Sequence, residues 1–120
     1  MSDKVTPIWV GSPNFWEGRK GHNVLAIVLH VEDGSEVGTE SWFQSKDSQV
    51  SATYSVSRAG VVHQYVKETD SAWANGIVNN PTWKFYDPAI NPNLQTISIE
   101  QEGHPDEDWP DVQIQATIDL

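Results

Sequence analysis

The hydrophobic and polar positions in the first part of the chain predict a buried strand followed by a short helix. The run VLAIVLH, Val24 to His30, is apolar until its last residue, which is the pattern of a strand buried on both faces. We therefore expect Val24–His30 to be the central strand of a sheet. After the turn-like segment VEDGSEVG, the residues Thr39–Lys46 predict a short helix with Thr39 as its N-cap.

The middle of the chain predicts a β-hairpin followed by a long loop. Val50–Ser57 and Val61–Val66 are β-rich runs, and the short connection Arg58-Ala59-Gly60 between them ends in glycine. From Asp70 to Gln95, three prolines, one glycine and several Asn residues interrupt any regular element. A loop of this length in so small a domain is usually functional.

Two later segments carry alternating patterns. In Thr96–Glu100 the alternation predicts a strand with Ile97 and Ile99 on one face. In the tail, Asp111–Leu120, apolar and polar residues also alternate, which favours a strand, whereas the Pro-Asp pair at its start suits the first turn of a helix. The local pattern leaves both structures open for the tail.

Composition and charge restrict the class of protein. The 120 residues, of which 38% are hydrophobic and six are Trp, predict a single folded domain over 1–120. Seven basic and 17 acidic side chains give a net charge of −10, which disfavours nucleic acid and anionic membrane surfaces as partners. The absence of cysteine excludes disulfides and thiolate metal sites. The sequence shows no signal peptide or membrane span, so we expect synthesis in the cytoplasm.

Two strand ends carry side chains capable of chemistry. His30 and Glu100 each end an apolar strand, at the sheet edge where α/β proteins tend to present functional groups. By position alone, a hydrogen-bonded histidine and a solvated carboxylate are the default interpretations of these two residues. A pair of strand ends with one His and one Glu is suggestive without being specific.

Other motifs for common chemistries are absent from the sequence. His22, His63 and His104 have no metal-ligand spacing, and HExxH, GxSxG, P-loop and GxGxxG motifs do not occur. The acidic cluster Asp106–Asp108 lacks the spaced oxygens of a calcium loop, so we expect a solvated surface there.

The order of five motifs resembles a known enzyme family. IVLHVEDG, SWFQ, VSATYSVSRAGVVHQYV, DSAWANG and NPNLQTISIEQEG follow one another between Ser12 and Leu120. This order resembles the zinc-dependent N-acetylmuramoyl-L-alanine amidases of the type 2 family, which include bacteriophage endolysins and share a fold with peptidoglycan-recognition proteins. The resemblance implies an α/β (α+β) fold, with a mixed, twisted β-sheet flanked by helices and a substrate groove on one side. It also favours a helix for the tail.

The resemblance also implies roles for individual residues. His30 takes the position of a zinc ligand, and Glu100 that of the general base in hydrolysis of the amide between N-acetylmuramic acid and L-alanine by zinc-activated water. We expect the neighbouring carboxylate of Glu102 to raise the pKa of Glu100. The aromatic residues of the long loop, Trp73, Trp83, Phe85 and Tyr86, are expected to form groove walls on which sugar rings stack, with burial in the core as the alternative for about half of them.

The sequence departs from the family pattern within the groove. Thr53 in SATY and Ala74 in AWANG stand where the family often has histidine. We therefore expect Thr53, Trp73, Ala74 and Asn75 to contact substrate, with the two substitutions changing affinity and specificity.

The largest departure concerns the metal. In the family a second His and an Asp or Cys complete the zinc site after a C-terminal helix, so the resemblance implies a C-terminally incomplete domain and an incomplete zinc site within 1–120. Two functions stay open: an endolysin-type peptidoglycan hydrolase acting on the cell wall, or a non-catalytic peptidoglycan-binding module or inactive fragment. We expect a monomer with peptidoglycan, and neither nucleic acid nor membrane, as its partner.

Overall fold

A computed structural model describes residues 5–120, so the first four residues of the predicted domain 1–120 lie outside the described residues. Seven strands and two helices form in that part of the chain, together with short 3-10 helices at Lys46–Ser48 and Pro92–Leu94. The strands are β1 (Ile8–Trp9), β2 (Phe15–Trp16), β3 (Ala26–Val31), β4 (Tyr54–Val56), β5 (Val62–Gln64), β6 (Ser71–Ala72) and β7 (Thr96–Gln101), and the helices are α1 (Glu36–Gln44) and α2 (Asp111–Asp119).

The main sheet is mixed and has the strand order β1-β5-β4-β7-β3. Strands β4 and β3 both run parallel to β7, whereas β5 runs antiparallel to β4 and parallel to β1. Strands β2 and β6 form a separate antiparallel pair. The predicted mixed sheet flanked by helices is confirmed. No helix within residues 5–120 combines the length and apolarity needed to cross a membrane.

In the sheet that residues 5–120 form, the strand that carries His30 lies at the edge and not at the predicted central position. β3 pairs with β7, and on one face Ile27 and Leu29 are 64% and 48% exposed. The apolar run is therefore not buried on both faces. A continuous run of apolar residues does not distinguish a central strand from an edge strand, because it does not say which elements cover each face.

Helix α1 begins three residues earlier than the predicted start at Thr39. Ser35 has extended backbone angles, and its Oγ accepts a hydrogen bond from the backbone N–H of Gly38 at 3.1 Å. Ser35 therefore satisfies a free N–H of the first turn, so it is the N-cap and Thr39 lies inside the helix. This start places Glu36 in the first turn and directly beside the sheet.

The predicted hairpin forms from β4 and β5, although both strands are shorter than expected. Tyr54, Ser55 and Val56 pair with Gln64, His63 and Val62. The connection closes on Gly60, whose φ of +81° is readily adopted only by glycine. The segment from Asp70 to Gln95 is irregular apart from β6 and the Pro92–Leu94 turn, in agreement with the predicted long loop.

The tail forms the helix α2, which settles the alternatives left open by its sequence pattern. Helical spacing turns Gln113 and Ala116 onto the sheet, where both are buried, and leaves Ile114 and Ile118 40% and 70% exposed. Gln113 Nε2 donates hydrogen bonds to the carbonyl oxygens of Val56 and Glu102 and to Gln101 Oε1. These polar contacts explain why the alternating pattern was ambiguous.

Two apolar clusters hold the layers together, one on each face of the sheet. On the α1 face, Phe43 packs with Tyr65, and their rings meet edge to face at 5.1 Å. On the α2 face, Ala116 packs against Val56 and Ile99. The sheet is thus fixed from both sides, and the polar residues described next lie on its α1 face.

Candidate functional site

His30 and Glu100 lie side by side near the carboxyl ends of two parallel strands. They are direct register partners in the β3–β7 ladder, so their side chains leave the same face of the sheet. Functional groups of α/β proteins commonly collect at this edge of a sheet. The structure thus brings together the two residues that the sequence singled out for chemistry.

This pair belongs to a row of four polar residues across the sheet, here named the polar row: His30, Glu100, Ser55 and His63. Ser55 in β4 pairs in register with Glu100 on one side and with His63 in β5 on the other. The sequence pattern alone predicts no functional role for His63 or Ser55. These residues become neighbours only through the order of the strands in the sheet, and a local sequence pattern does not contain that order.

Glu36 of α1 contacts the polar row from the helix that covers this face of the sheet. The sequence pattern alone predicts no functional role for Glu36. Its Oε1 accepts a hydrogen bond from Ser55 Oγ and lies 3.3 Å from His63 Nδ1. Tyr65 hydroxyl pairs with Ser55 Oγ at 3.0 Å. Glu40, one helical turn after Glu36, places its Oε1 3.7 Å from His63 Nδ1. Helix α1 therefore supplies two carboxylates to a row that already contains one.

Burial, together with the charge of neighbouring carboxylates, raises the pKa values of Glu100 and Glu32. Burial, and then the charge of Glu36, raise the pKa of Glu100 to about 7. Burial also dominates at Glu32, whose pKa rises to about 9 with Glu36 as the strongest charged neighbour. The raised pKa of Glu100 agrees with the predicted direction, but the charged neighbour that contributes is Glu36 and not Glu102. The Glu102 carboxylate instead accepts hydrogen bonds from the backbone N–H groups of Glu36 and Arg58.

His30 offers a free ring nitrogen. Its Nε2 is buried and has no hydrogen-bond partner within residues 5–120. Burial lowers its pKa, and the neighbouring Asn75 side chain partly opposes this effect. A neutral imidazole with a free nitrogen suits a metal ligand.

The rest of a metal site is missing from the described part of the chain. Nowhere in residues 5–120 do three His, Cys, Asp or Glu side chains meet in an arrangement that could hold a metal ion. Catalytic zinc normally takes three protein ligands and keeps a further position open. These residues therefore fit one zinc ligand, His30, and do not fit a complete site.

The pair opens into two adjoining cavities. The first, the Glu100 cavity, has a volume of about 450 Å³ and is also lined by Glu32 and Trp42. The second, the His30 cavity, has a volume of about 540 Å³ and is also lined by Asn75. Trp73 and Ala74 line both. The loop after β6 therefore forms a shared wall beside the two strand ends.

Hydrogen bonds to neighbouring elements fix this wall. Asn93 Oδ1 accepts from the backbone N–H groups of Ala74 and Asn75, at 3.3 and 3.0 Å. Asn75 Nδ2 donates to Thr96 Oγ1 at the start of β7. The wall is thus tied to the strand that carries Glu100.

The remaining predicted site residues lie elsewhere. Thr53 is completely buried, and its Oγ1 accepts from the backbone N–H of Ser98. Trp83 and Tyr86 line a different cavity from Trp73, and Phe85 is 53% exposed. The acidic cluster Asp106–Asp108 is exposed, as expected of a solvated surface.

A family profile and a curated relative both match this chain, and both are N-acetylmuramoyl-L-alanine amidases. The family profile described as N-acetylmuramoyl-L-alanine amidase (Amidase_2) matches residues 20–120. N-acetylmuramoyl-L-alanine amidase A of Achromobacter lyticus is 32% identical over 97 residues, which cover 80% of this chain and 47% of that protein. The chain thus spans about half the length of this relative.

Solved structures show the same fold. AmpD, as a selenomethionine derivative, superposes with a TM-score of 0.75 at 21% identity, covering 92% of this chain and 69% of that one. The endolysin amidase LysCS of Clostridium intestinale gives 0.61 at 14% identity, covering 100% and 73%. The sequence match over residues 20–120 extends from before β3 to the end of α2, including both His30 and Glu100. The chain belongs to the type 2 N-acetylmuramoyl-L-alanine amidase family.

Proposed function

We propose that this protein hydrolyses the amide between the lactyl group of N-acetylmuramic acid and the L-alanine of the peptidoglycan stem peptide. The observation that carries the proposal is the register pairing of His30 and Glu100 beside cavities that share Trp73 and Ala74. A half-buried carboxyl next to a free imidazole nitrogen, open to a cleft, is an arrangement suited to hydrolysis. Membership of the amidase family supplies the substrate class.

Glu100 acts as the proton carrier in this reaction. It accepts a proton from the attacking water, whose oxygen bonds to the amide carbonyl carbon. When the C–N bond breaks, the proton passes to the departing nitrogen, leaving a lactyl carboxylate on the sugar and a free amino group on alanine. A pKa of about 7 suits both steps, because the group is then an adequate base and an adequate acid near neutral pH.

We further propose that His30 is a zinc ligand in the active protein. Zinc, when bound, lowers the pKa of a coordinated water and polarises a carbonyl group. Since residues 5–120 do not complete a metal site, the other ligands of such an ion would come from outside these residues. The free Nε2 of His30 supports its own part in this assignment.

We also propose that the protein is of the endolysin type and acts on the cell wall as a monomer. The fold shared with LysCS is compatible with this type. The net charge of −10 disfavours nucleic acid or anionic lipid as a partner. Trp73, Ala74 and Asn75, in the wall beside His30, are the proposed substrate contacts. Thr53 is not among them, because its side chain is completely buried.

The test is digestion of purified peptidoglycan by the protein with added zinc, read as new L-alanine amino termini. We expect Glu100→Gln to lower the rate by about 100-fold or more, because glutamine cannot carry the proton. Glu17→Gln, at an exposed position, controls for the loss of one charge. Equal rates in wild type and Glu100→Gln would refute the role of Glu100. Saturable wall binding without any new amino termini would instead support a non-catalytic peptidoglycan-binding module.

A further inference from the structure

Arg19, in the connection between β2 and β3, is buried, and its side chain holds backbone carbonyl groups from two other parts of the chain. The residue is 8% exposed. Its Nη1 donates hydrogen bonds to the carbonyl oxygens of Asn93, Leu94 and Thr96, at 3.2, 3.2 and 3.1 Å, and its Nε donates to that of Glu68 at 2.9 Å. A guanidinium presents its N–H donors in one rigid plane, so a single side chain can fix several carbonyl groups in defined directions.

Two of these carbonyl groups belong to the residues that hold the wall of the candidate site. Asn93 Oδ1 accepts from the backbone N–H groups of Ala74 and Asn75, and Thr96 Oγ1 accepts from Asn75 Nδ2. Arg19 binds the main chain of both anchoring residues, which are themselves buried. Arg19 therefore fixes the two anchor points of the wall relative to each other and to β7.

The remaining contact of Arg19 holds the chain just before the wall. Glu68, whose carbonyl oxygen accepts from Arg19 Nε, lies shortly before β6, and β6 leads directly into the wall. The backbone next to Arg19 is tied to the same place. The Gly18 N–H donates to Asp70 Oδ1, and the Gly18 carbonyl oxygen accepts from Ser71 Oγ, both at 2.8 Å. Arg19 therefore links the segment that enters the wall to the start of β7.

A buried guanidinium is an unfavourable group to use for stability alone. Within residues 5–120 no carboxylate lies at ion-pair distance from Arg19, and its Nη2 is buried without a hydrogen-bond partner. Burial lowers the pKa of Arg19, and the charges of Glu68 and Asp70 oppose this effect. Well-packed apolar side chains often stabilise a fold at least as well as a buried charge. What the guanidinium adds, and an apolar side chain does not, is a fixed direction for each bound carbonyl group.

We propose that Arg19 is a positioning residue of the candidate site, which sets the place of the wall beside β7 without touching substrate. The inference rests on the proposed function for the statement that the wall contacts substrate. Without the guanidinium, Asn93 and Thr96 lose the bonds that hold their main chain, and the wall loosens with them. Glu100 stays in the β3–β7 ladder. Substrate affinity therefore depends on Arg19, whereas the chemical step does not.

The first test needs no substrate and uses native-state hydrogen exchange of the full chain, followed by NMR. Arg19→Lys keeps the positive charge and Arg19→Gln keeps a planar amide, but neither reproduces the guanidinium. In both variants the backbone N–H groups of Ala74 and Asn75 should exchange about tenfold faster relative to the amides of β4 and β7. Val62→Ala is the matched control, because it removes buried apolar volume in the cluster on the α2 face, away from the wall. It should leave the ratio of wall to strand exchange unchanged.

The second test measures cleavage of a soluble N-acetylmuramoyl peptide with added zinc. We expect Arg19→Lys to raise KM about tenfold and to leave kcat within about twofold, because the wall binds ground state and transition state alike. Val62→Ala should change neither constant.

Several outcomes would overturn the inference. These are unchanged exchange at Ala74 and Asn75 in the folded Arg19 variants, loss of kcat at unchanged KM, and failure of both Arg19 variants to unfold cooperatively in urea, which would show a purely structural role. Faster exchange at the wall without any cleavage by the wild-type chain would support the positioning role and refute the proposed hydrolysis. Cleavage by wild type with unchanged exchange in the variants would refute the positioning role alone.

Discussion

Replacing Glu32 with glutamine is expected to stabilise the fold near neutral pH and to change little in acid. In the folded chain, burial and the charge of Glu36 raise the pKa of Glu32 from 4.5 to about 9. The unfolded chain therefore loses this proton near pH 4.5, whereas the folded chain keeps it to about pH 9. Over that window the folded state binds more protons, so the free energy of unfolding falls as pH rises.

The magnitude follows from the width of the window. Each pH unit between the two pKa values costs about 1.4 kcal/mol, so the full effect at pH 7 would be about 3 kcal/mol. Glu32 is only partly buried, and solvent screening reduces this value to about 1–2 kcal/mol. Glutamine has nearly the same shape and does not ionise, so Glu32→Gln should recover that amount.

Urea unfolding followed by tryptophan fluorescence measures the difference. We expect Glu32→Gln to exceed wild type by about 1–2 kcal/mol near pH 7, and the gain to disappear near pH 4. Glu17→Gln, an exposed position, controls for the reduced net negative charge. A gain that is equal at both pH values, or a variant less stable than wild type near pH 7, would refute the reasoning.

Two further predictions concern local structure. Ser35→Ala should lower the free energy of unfolding by about 1 kcal/mol in urea titration, because it removes the N-cap hydrogen bond to Gly38; no loss would contradict the reassigned helix start. Gly60→Ala should cost about 1–2 kcal/mol more than Gly21→Ala in the same titration. Both glycines have φ near +80°, so the backbone strain of an alanine is similar at the two positions. Only at Gly60 does an added Cβ approach Val112, at 2.9 Å from Cγ2 and 3.0 Å from the carbonyl oxygen. Equal costs of the two substitutions would show that backbone strain alone matters.

Local sequence patterns predicted most of the fold because the relevant physics is local. The hairpin at Gly60 and the strand Thr96–Gln101 follow from alternation and turn chemistry, and both appear in the structure. The edge position of β3 could not be predicted, because an apolar run indicates a strand but not which strands pair with it. The tail was ambiguous because α2 buries a hydrogen-bonded Gln113 at a position where a helix usually presents an apolar residue.

The sequence likewise predicts some residues of the candidate site and not others. His30 and Glu100 were found because each ends a strand, and the family resemblance gave them roles. Ser55, His63 and Glu36 were missed because they meet only through the order of strands and the position of α1. Assigning the raised pKa of Glu100 to Glu102 failed for a related reason, since a neighbour in sequence is not necessarily the neighbour in space.

Hydrolysis of peptidoglycan in water enriched in ¹⁸O tests the proposed reaction most directly. Attack of water on the amide carbonyl carbon, with Glu100 as the base, places one labelled oxygen in the lactyl carboxylate of muramic acid. Mass spectrometry of the separated products should therefore find the label on the glycan at that carboxylate and none on the peptide. A label at an anomeric carbon or within the stem peptide would show that another bond is cut, and would contradict the proposed function.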